Sequence, residues 1–272
     1  MKRISAKASP TFYEYMFCEF INPKLVSSVY DIGVGPKSEY DTIKSKFKNI
    51  SFFGTEPNPD FFKVLREKFP GQLLDYAISE TGGESLVDFH LHPENIMASG
   101  IIPYDNGKDA SPTRIKSITL DEFDSRCGAQ EGVLIWMDIE GYELKALKSG
   151  SALLASGRVQ LLNLEVRSKW NGKDAGCTEM EIDEFLSMHG YTKVFSYNHY
   201  RSSHHHDSIY VSANYKLPPF AETLKAVYDQ ARDLVATNTE EDLTLALVDL
   251  NISRMEAADK VSFLRDKISK QS

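Results

Sequence analysis

Cysteine is scarce in this chain, and positive charge is in deficit. The 272 residues include three cysteines, Cys18, Cys127 and Cys177. An odd number at wide spacings gives neither a disulfide framework nor a zinc knuckle. The expected state is thiols left buried or idle in a reducing cytoplasm. Lysine and arginine number 31 against 39 acidic residues, a net charge of −8. A surface of that sign repels phosphate backbones and anionic membranes, and no dense basic cluster overrides it. Nucleic acid is therefore not an expected partner. Long apolar runs are also missing: the polar, basic stretch 1–10 is followed by nothing of signal-peptide or membrane-span length. The expectation is a cytoplasmic protein with no membrane span.

Core material is present in ordinary amount, with 42% hydrophobic residues, and the length suits one α/β domain and an appendage. We read an N-terminal helical arm over 1–24, the domain over 25–216 and a helical tail over 217–272. Within the arm a helix is expected over 12–25, ending near Pro23. Strands are expected over 25–31, 50–55, 72–78, 132–138 and 159–166, alternating with helices near 39–47, 60–68 and 140–149. A helix over 180–189 precedes two closing strands, 191–197 and 208–213. Alternation of this kind pairs strands in parallel. The fold class expected is α/β: a doubly wound, seven-stranded, mostly parallel sheet of Rossmann-like type with a helical C-terminal extension. Shorter strands fit 85–90 and 114–118, and a short helix fits 120–126. The stretch 92–112 is rich in Pro, Gly, Asn and Asp and reads as a long loop of the functional kind. In the tail, Leu243, Leu247, Leu250, Ala257, Val261, Leu264 and Ile268 fall on alternating steps of four and three, broken only by Arg254. That heptad seam fits a coiled coil or docking helix, joining a second copy or a partner protein. Packing on the parent domain is the alternative.

The first strand runs into Asp31-Ile32-Gly33-Val34-Gly35. Glycines let a backbone turn sharply and approach a ligand closely. Ligands of such sheets sit beyond the carboxyl ends of the strands. The second strand ends at Glu56, placed to accept both hydroxyls of a ribose, with Pro57 beside it. Asp75 and Ala77, at the end of the third strand, are expected in the same pocket. A dinucleotide site wants GxGxxG facing a pyrophosphate. Here Ser38 holds the third glycine position, and Asp31 would repel a pyrophosphate. A cation is welcome beside Asp31. S-adenosylmethionine, a sulfonium carrying a ribose and an adenine, meets these requirements and is the expected cofactor.

The run Ile135-Trp136-Met137-Asp138-Ile139-Glu140-Gly141-Tyr142-Glu143-Leu144 resembles the FkbM family of methyltransferases, which carry "K-x-D-x-E-G-x-E" at the end of the fourth strand. Thr119-Leu120-Asp121-Glu122-Phe123 is similar to that family's "T-L-D-x-F" element. Asp31-Ile32-Gly33 and Glu56-Pro57-Asn58 match its first two motifs, and Phe185-Leu186 with Gly190-Tyr191 resembles a later one. Trp136 stands where the family has lysine, and Pro36-Lys37 where many members have a further glycine. The likeness covers residues 30–213. It implies a class I methyltransferase fold and O-methylation, often of sugars or polyketide-type hydroxyls.

A hydroxyl acceptor must lose its proton during methyl transfer. Asp138, at a strand's carboxyl end beside the cofactor, is the first candidate for that work and also a cofactor contact. A helix cap is its structural alternative. Asp138 and Glu165 can instead share a magnesium ion, which favours oxygen ligands. Glu140 and Glu143 suit a helix N-terminus. Among the histidines, His90, His92 and the run His204-His205-His206 flank the expected acceptor side. His92 and His204 are carried forward as candidate bases. The function expected is S-adenosylmethionine-dependent O-methyl transfer to a hydroxyl of a carbohydrate or related small metabolite. The alternatives are a non-catalytic scaffold on the same fold and an NAD-dependent oxidoreductase.

Overall fold

A computed structural model describes residues 12–36, 39–91, 99–103, 112–129, 131–167, 169–170, 173–174, 176–202 and 205–235. Along the chain come α1 (Phe12–Cys18), β1 (Ser28–Ile32), α2 (Glu39–Lys46), β2 (Ser51–Thr55), α3 (Pro59–Leu65), β3 (Gln72–Leu74), β4 (Ala77–Ile78), β5 (Ser85–Phe89) and β6 (Thr113–Ile118). Next are α4 (Leu120–Cys127), β7 (Val133–Met137), α5 (Glu143–Lys148), α6 (Ser151–Ala155), β8 (Val159–Arg167), and the short pair β9 (Lys169–Trp170) and β10 (Lys173–Asp174). The chain continues through α7 (Glu179–Met188), β11 (Tyr191–Ser202), β12 (His205–Ser212) and α8 (Pro219–Val235). The heptad seam from Leu243 lies outside the described residues.

The central sheet has seven strands in the order β11-β12-β8-β7-β1-β2-β3. From β8 to β3 the pairs are parallel, and β12 runs antiparallel to both β8 and β11. This is the expected architecture of five parallel strands and a closing pair. The middle strands need apolar residues on both faces because helices cover both. Val133-Leu134-Ile135-Trp136-Met137 is buried throughout. Leu134 and Trp136 join one core with Val29, Phe52 and Leu161. Val133, Ile135 and Met137 join the other with Tyr30, Leu162 and Leu164. The start of α8 belongs to the first core through Ala221 and Leu224.

Local chemistry sets the helix starts. Thr119 accepts from the Glu122 amide while the Glu122 carboxylate accepts from the Thr119 amide, and Thr178 with Glu181 repeats the arrangement on α7. Asn58 caps α3, whose first residue is Pro59.

Several boundaries differ from expectation: β1 starts later, at Ser28, α3 stops at Leu65, and the closing strands reach further, over Tyr191–Ser202 and His205–Ser212. Three other differences bear on the site and the arm. Residues 72–78 do not form one strand. The Leu74 carbonyl is taken by the Glu56 amide at 3.1 Å, the chain leaves the main sheet, and β4 pairs with β6 in a separate sheet of order β4-β6-β5. The helix expected over 140–149 begins at Glu143, because Glu140 and Gly141 have φ of +61° and +95°. The helix expected over 12–25 is α1 alone. The chain after it turns at Asn22, whose side chain accepts from the Lys24 amide. Cys18, Cys127 and Cys177 are buried and unpaired, and burial pushes each thiol up to about 12. Among the described residues no helix is long and apolar enough to cross a membrane.

Candidate functional site

The order of the sheet reverses at β1. The chain builds outward through β2 and β3, then returns to place β7 and β8 on the other side. Ligands of doubly wound sheets bind at such a switch point, beyond the carboxyl ends. A cleft opens there, bounded by the ends of β1, β2 and β7.

The glycine turn forms its floor. Gly33 (φ +83°) and Gly35 (φ +59°) use left-handed backbone that other residues rarely adopt. The amides of Gly33 and Val34 both donate to the Thr55 carbonyl at 3.0 Å, tying the turn to β2. Glu56, 4% exposed, accepts from the Gly35 amide through Oε2 and from the Asn58 amide through Oε1, each at 2.7 Å. Burial pushes this carboxyl up to about 7; the two amides pull it down, and the charge on Asp138 raises it. Each oxygen of a carboxylate has a second acceptor position. Glu56 thus keeps the capacity to accept two ribose hydroxyls. Phe61, Ile78 and Phe89 give the cleft an apolar side suited to a heteroaromatic ring. These features fit S-adenosylmethionine.

Six of the residues expected at the cofactor, Gly33, Gly35, Glu56, Pro57, Ala77 and Asp138, line this one cleft. Two others lie elsewhere. Asp31 is buried on β1 behind the lining, between Gly54 and Trp136 in the sheet register. Asp75 sits in the link between β3 and β4, on the surface, 3.2 Å from the Lys116 ammonium. His92 and His204 lie outside the described residues. Phe61, Phe89 and Tyr142 also line the cleft without being expected there, while Gly100 and Ile101 bring part of the expected functional loop 92–112 to it. The bridge between His90 and Gly100 sets Gly100, a residue within the 92–112 region, beside the end of β5 at the cleft. No periodic signal in the sequence announces it.

An acidic cluster adjoins the cleft. Asp138, Glu140 and Glu165 each bring a carboxylate oxygen within 4.8 Å of the others. The register Met137↔Leu164 places Asp138 and Glu165 one step further along neighbouring strands. Arg167, two residues beyond Glu165 and so on the same face of β8, makes an ion pair with Glu140 and lies 3.6 Å from Glu165. From β12, His205 reaches across, its Nε2 2.6 Å from Glu165 Oε1. Burial raises the Glu165 carboxyl and the charge on Asp138 raises it further, while His205 and Arg167 oppose them. Burial, Glu165 and Asp138 hold Glu140 well above the usual carboxylate range against the pull of Arg167. Asp138 does not cap α5: Tyr142 occupies that position, with no side-chain cap bond.

The strand order and this glycine-floored, carboxylate-bearing cleft define a class I S-adenosylmethionine-dependent methyltransferase fold. The chain belongs to the FkbM family: the profile of the Methyltransferase FkbM domain matches residues 22–193. No curated protein sequence matches it. Among solved structures, methyltransferase FkbM from Methylobacillus flagellatus KT is 14% identical with a TM-score of 0.43. That match covers 68% of this chain and 43% of the other, so this chain spans less than half of that protein's length. Magnesium protoporphyrin IX methyltransferase (ChlM) from Synechocystis PCC 6803, with bound SAM, is 13% identical with a TM-score of 0.40, over 78% and 88% of the two chains. A S-adenosylmethionine-dependent methyltransferase from Clostridium acetobutylicum ATCC 824 is 8% identical with a TM-score of 0.42, over 78% and 96%.

Proposed function

We propose that this protein is an S-adenosylmethionine-dependent O-methyltransferase acting on a hydroxyl of a carbohydrate or related small metabolite in the cytoplasm. The observation that carries the donor reading is Glu56. It is a buried carboxylate fixed by two backbone amides at the end of β2, facing a cleft with a glycine floor. Bound there, the donor supplies an electrophilic methyl group. Glu56 holds the ribose, Gly33 and Gly35 allow the backbone to approach, and Pro57 and Ala77 border the base. Asp31 acts from behind the lining through the strand end it belongs to.

The acceptor side is assigned to the acidic cluster. Methyl transfer is a displacement that chiefly needs alignment, and a hydroxyl acceptor also needs a group to take its proton. Asp138 lines the cleft and takes that role, with Glu165 and His205 joined behind it. His92 and His204 remain proposed bases on the same side. The alternative proposed for the same cluster is magnesium held by Asp138 and Glu165, with Glu140 as a third oxygen donor, in which case Asp138 is a metal ligand and not the base. Three acids there face a single guanidinium, and Glu165 Oε2 is buried without a hydrogen-bond partner among the described residues. The tail seam is proposed to join a second copy or a partner protein.

Calorimetry with S-adenosylhomocysteine tests the donor reading. Micromolar binding is expected, and Glu56→Ala should weaken it tenfold or more, for a loss of about 1–3 kcal/mol in hydrogen bonds to a charged group. Tight binding of NADH with none of S-adenosylhomocysteine would overturn it. Titrating magnesium into native protein and Glu165→Gln tests the metal, which falls if both respond alike.

A further inference from the structure

The turn between β7 and α5 carries two acids of the cluster, and its backbone is unusual. Glu140 has φ of +61° without being glycine, a conformation that persists only where the surroundings impose it. Gly141 follows at +95°. Something must hold residues 139–141 in this shape, since α5 has not yet begun.

Glu143 does so. It is the first residue of α5 and is wholly buried. Its Oε1 accepts from the Ile139 amide at 3.0 Å and from the Gly141 amide at 3.3 Å. One carboxyl oxygen thus closes the turn from inside, satisfying two amides that no helix ladder reaches. The turn is also gripped from outside. A β-carbon on Gly33 would lie 2.2 Å from the Asp138 carbonyl oxygen, and one on Gly176 would lie 2.3 Å from the Gly141 carbonyl oxygen. The Asp138 amide donates to the Ile32 carbonyl at 3.1 Å. On the cleft side, a β-carbon on Gly100 would lie 3.3 Å from Glu140 Cβ. The turn is therefore wedged between the cofactor loop, the segment after the 92–98 stretch and the approach to α7.

We propose that Glu143 is a positioning residue: its carboxyl clamps the turn at 139–141 and so sets where Asp138 and Glu140 stand in the cleft. Glu143 does not line the cleft. It acts through the backbone. Only Oε1 is used; Oε2 is buried with no hydrogen-bond partner among the described residues. Burial, then the charge on Glu165, pushes this carboxyl up to about 8, so near neutral pH it keeps its proton. A neutral carboxyl used through one oxygen is well imitated by a carboxamide, whose oxygen accepts the same two amides. The clamp therefore needs the acceptor atom and not the negative charge.

Two variants separate these requirements. Glu143→Gln should keep S-adenosylhomocysteine affinity within about threefold of the native protein, and Glu143→Leu should lose at least about tenfold while keeping a cooperative thermal transition. Hydrogen exchange of the Ile139 and Gly141 amides reads the clamp without any ligand. Both should be protected in the native chain and in Glu143→Gln, and exposed in Glu143→Leu. Equal affinity in Glu143→Leu, or unprotected amides in the native chain, overturns the proposal. Should Glu143→Leu fail to fold, exchange in the native chain and Glu143→Gln decides: protection in both supports the clamp, and its loss in Glu143→Gln removes it. The affinity arm rests on the donor reading. A native chain that binds no S-adenosylhomocysteine would sink that reading and leave the exchange result standing.

Discussion

Gly33 and Asp138 meet backbone to backbone: a β-carbon on the glycine would lie 2.2 Å from the Asp138 carbonyl oxygen. Two strand ends, β1 and β7, are locked together at the point where the cleft opens. The contact has a consequence for substitution. Alanine at Gly33 meets both the φ of +83° and a backbone atom that cannot swing aside. The turn must move, and the Gly35 amide with it, away from Glu56. Gly33→Ala should lose about 1–3 kcal/mol of stability and at least tenfold in S-adenosylhomocysteine affinity. Gly157 is the control. Its φ of +73° is similar, but nothing lies within 4 Å of its would-be β-carbon. Gly157→Ala should show the strain alone, with affinity unchanged. Urea titration and calorimetry on both variants measure the difference, and equal affinity in the two would refute the close-approach argument.

The buried carboxyls set a direction for stability against pH. Glu56 is raised from 4.5 to about 7 and Glu143 to about 8, in both cases chiefly by burial. A carboxyl whose folded pKa is raised binds its proton more tightly in the folded state. Its contribution is complete below about 4.5 and is lost as pH rises through 7 to 8. Glu179 is shifted the other way by His206 and Lys193 against the cost of burial, and its contribution is lost only as pH falls below the ordinary carboxylate range. Between pH 5 and 9 the raised groups govern. The urea midpoint should fall from pH 5 to about 8 and level off beyond, and Glu143→Gln should flatten the fall. A midpoint that climbs from pH 5 to 9 would show that these carboxyls are not held as the geometry implies.

Much of this was legible because the central strands leave little choice. Val133-Leu134-Ile135-Trp136-Met137 is too short and too apolar for anything but a strand covered on both faces, and Asp138 had to fall at its carboxyl end. Glu56 was placed by the same logic on β2. The misplacements have local causes. Asp75 reads as the continuation of a strand, but the bond from the Glu56 amide to the Leu74 carbonyl marks the end of the β2–β3 ladder, and past it the chain crosses to pair Ala77 and Ile78 with β6. Glu140 reads as helical, but its φ of +61° keeps it outside α5, in a turn that the Glu143 side chain closes from inside and that Gly33 and Gly176 crowd from outside. The histidine run shows the limit most plainly. Successive residues of a strand face opposite ways. His205 meets Glu165 and Arg167 at the cluster, while His206 turns to Glu179 on α7. Three identical neighbours carry no mark of which one points inward.

The helical tail is best tested by a cut that respects the core. Removing everything from Pro218 would strip away Ala221 and Leu224, both buried, and Tyr228, whose ring lies 5.4 Å from that of Phe195. Each buried leucine-sized side chain is worth about 1.5–3 kcal/mol. Such a truncation would unfold part of the domain and say nothing about the seam. A chain ending at Val235 keeps α8 whole and removes Leu243, Leu247, Leu250, Ala257, Val261, Leu264 and Ile268 together. This shorter chain should melt within a few degrees of the full one and bind S-adenosylhomocysteine equally well. If the seven apolar positions pair with a second copy, light scattering should give the full chain twice the mass of one protomer and the shorter chain the mass of one. A single-protomer mass for both, with the full chain melting well above the shorter one, would show instead that the seam packs back on its own domain.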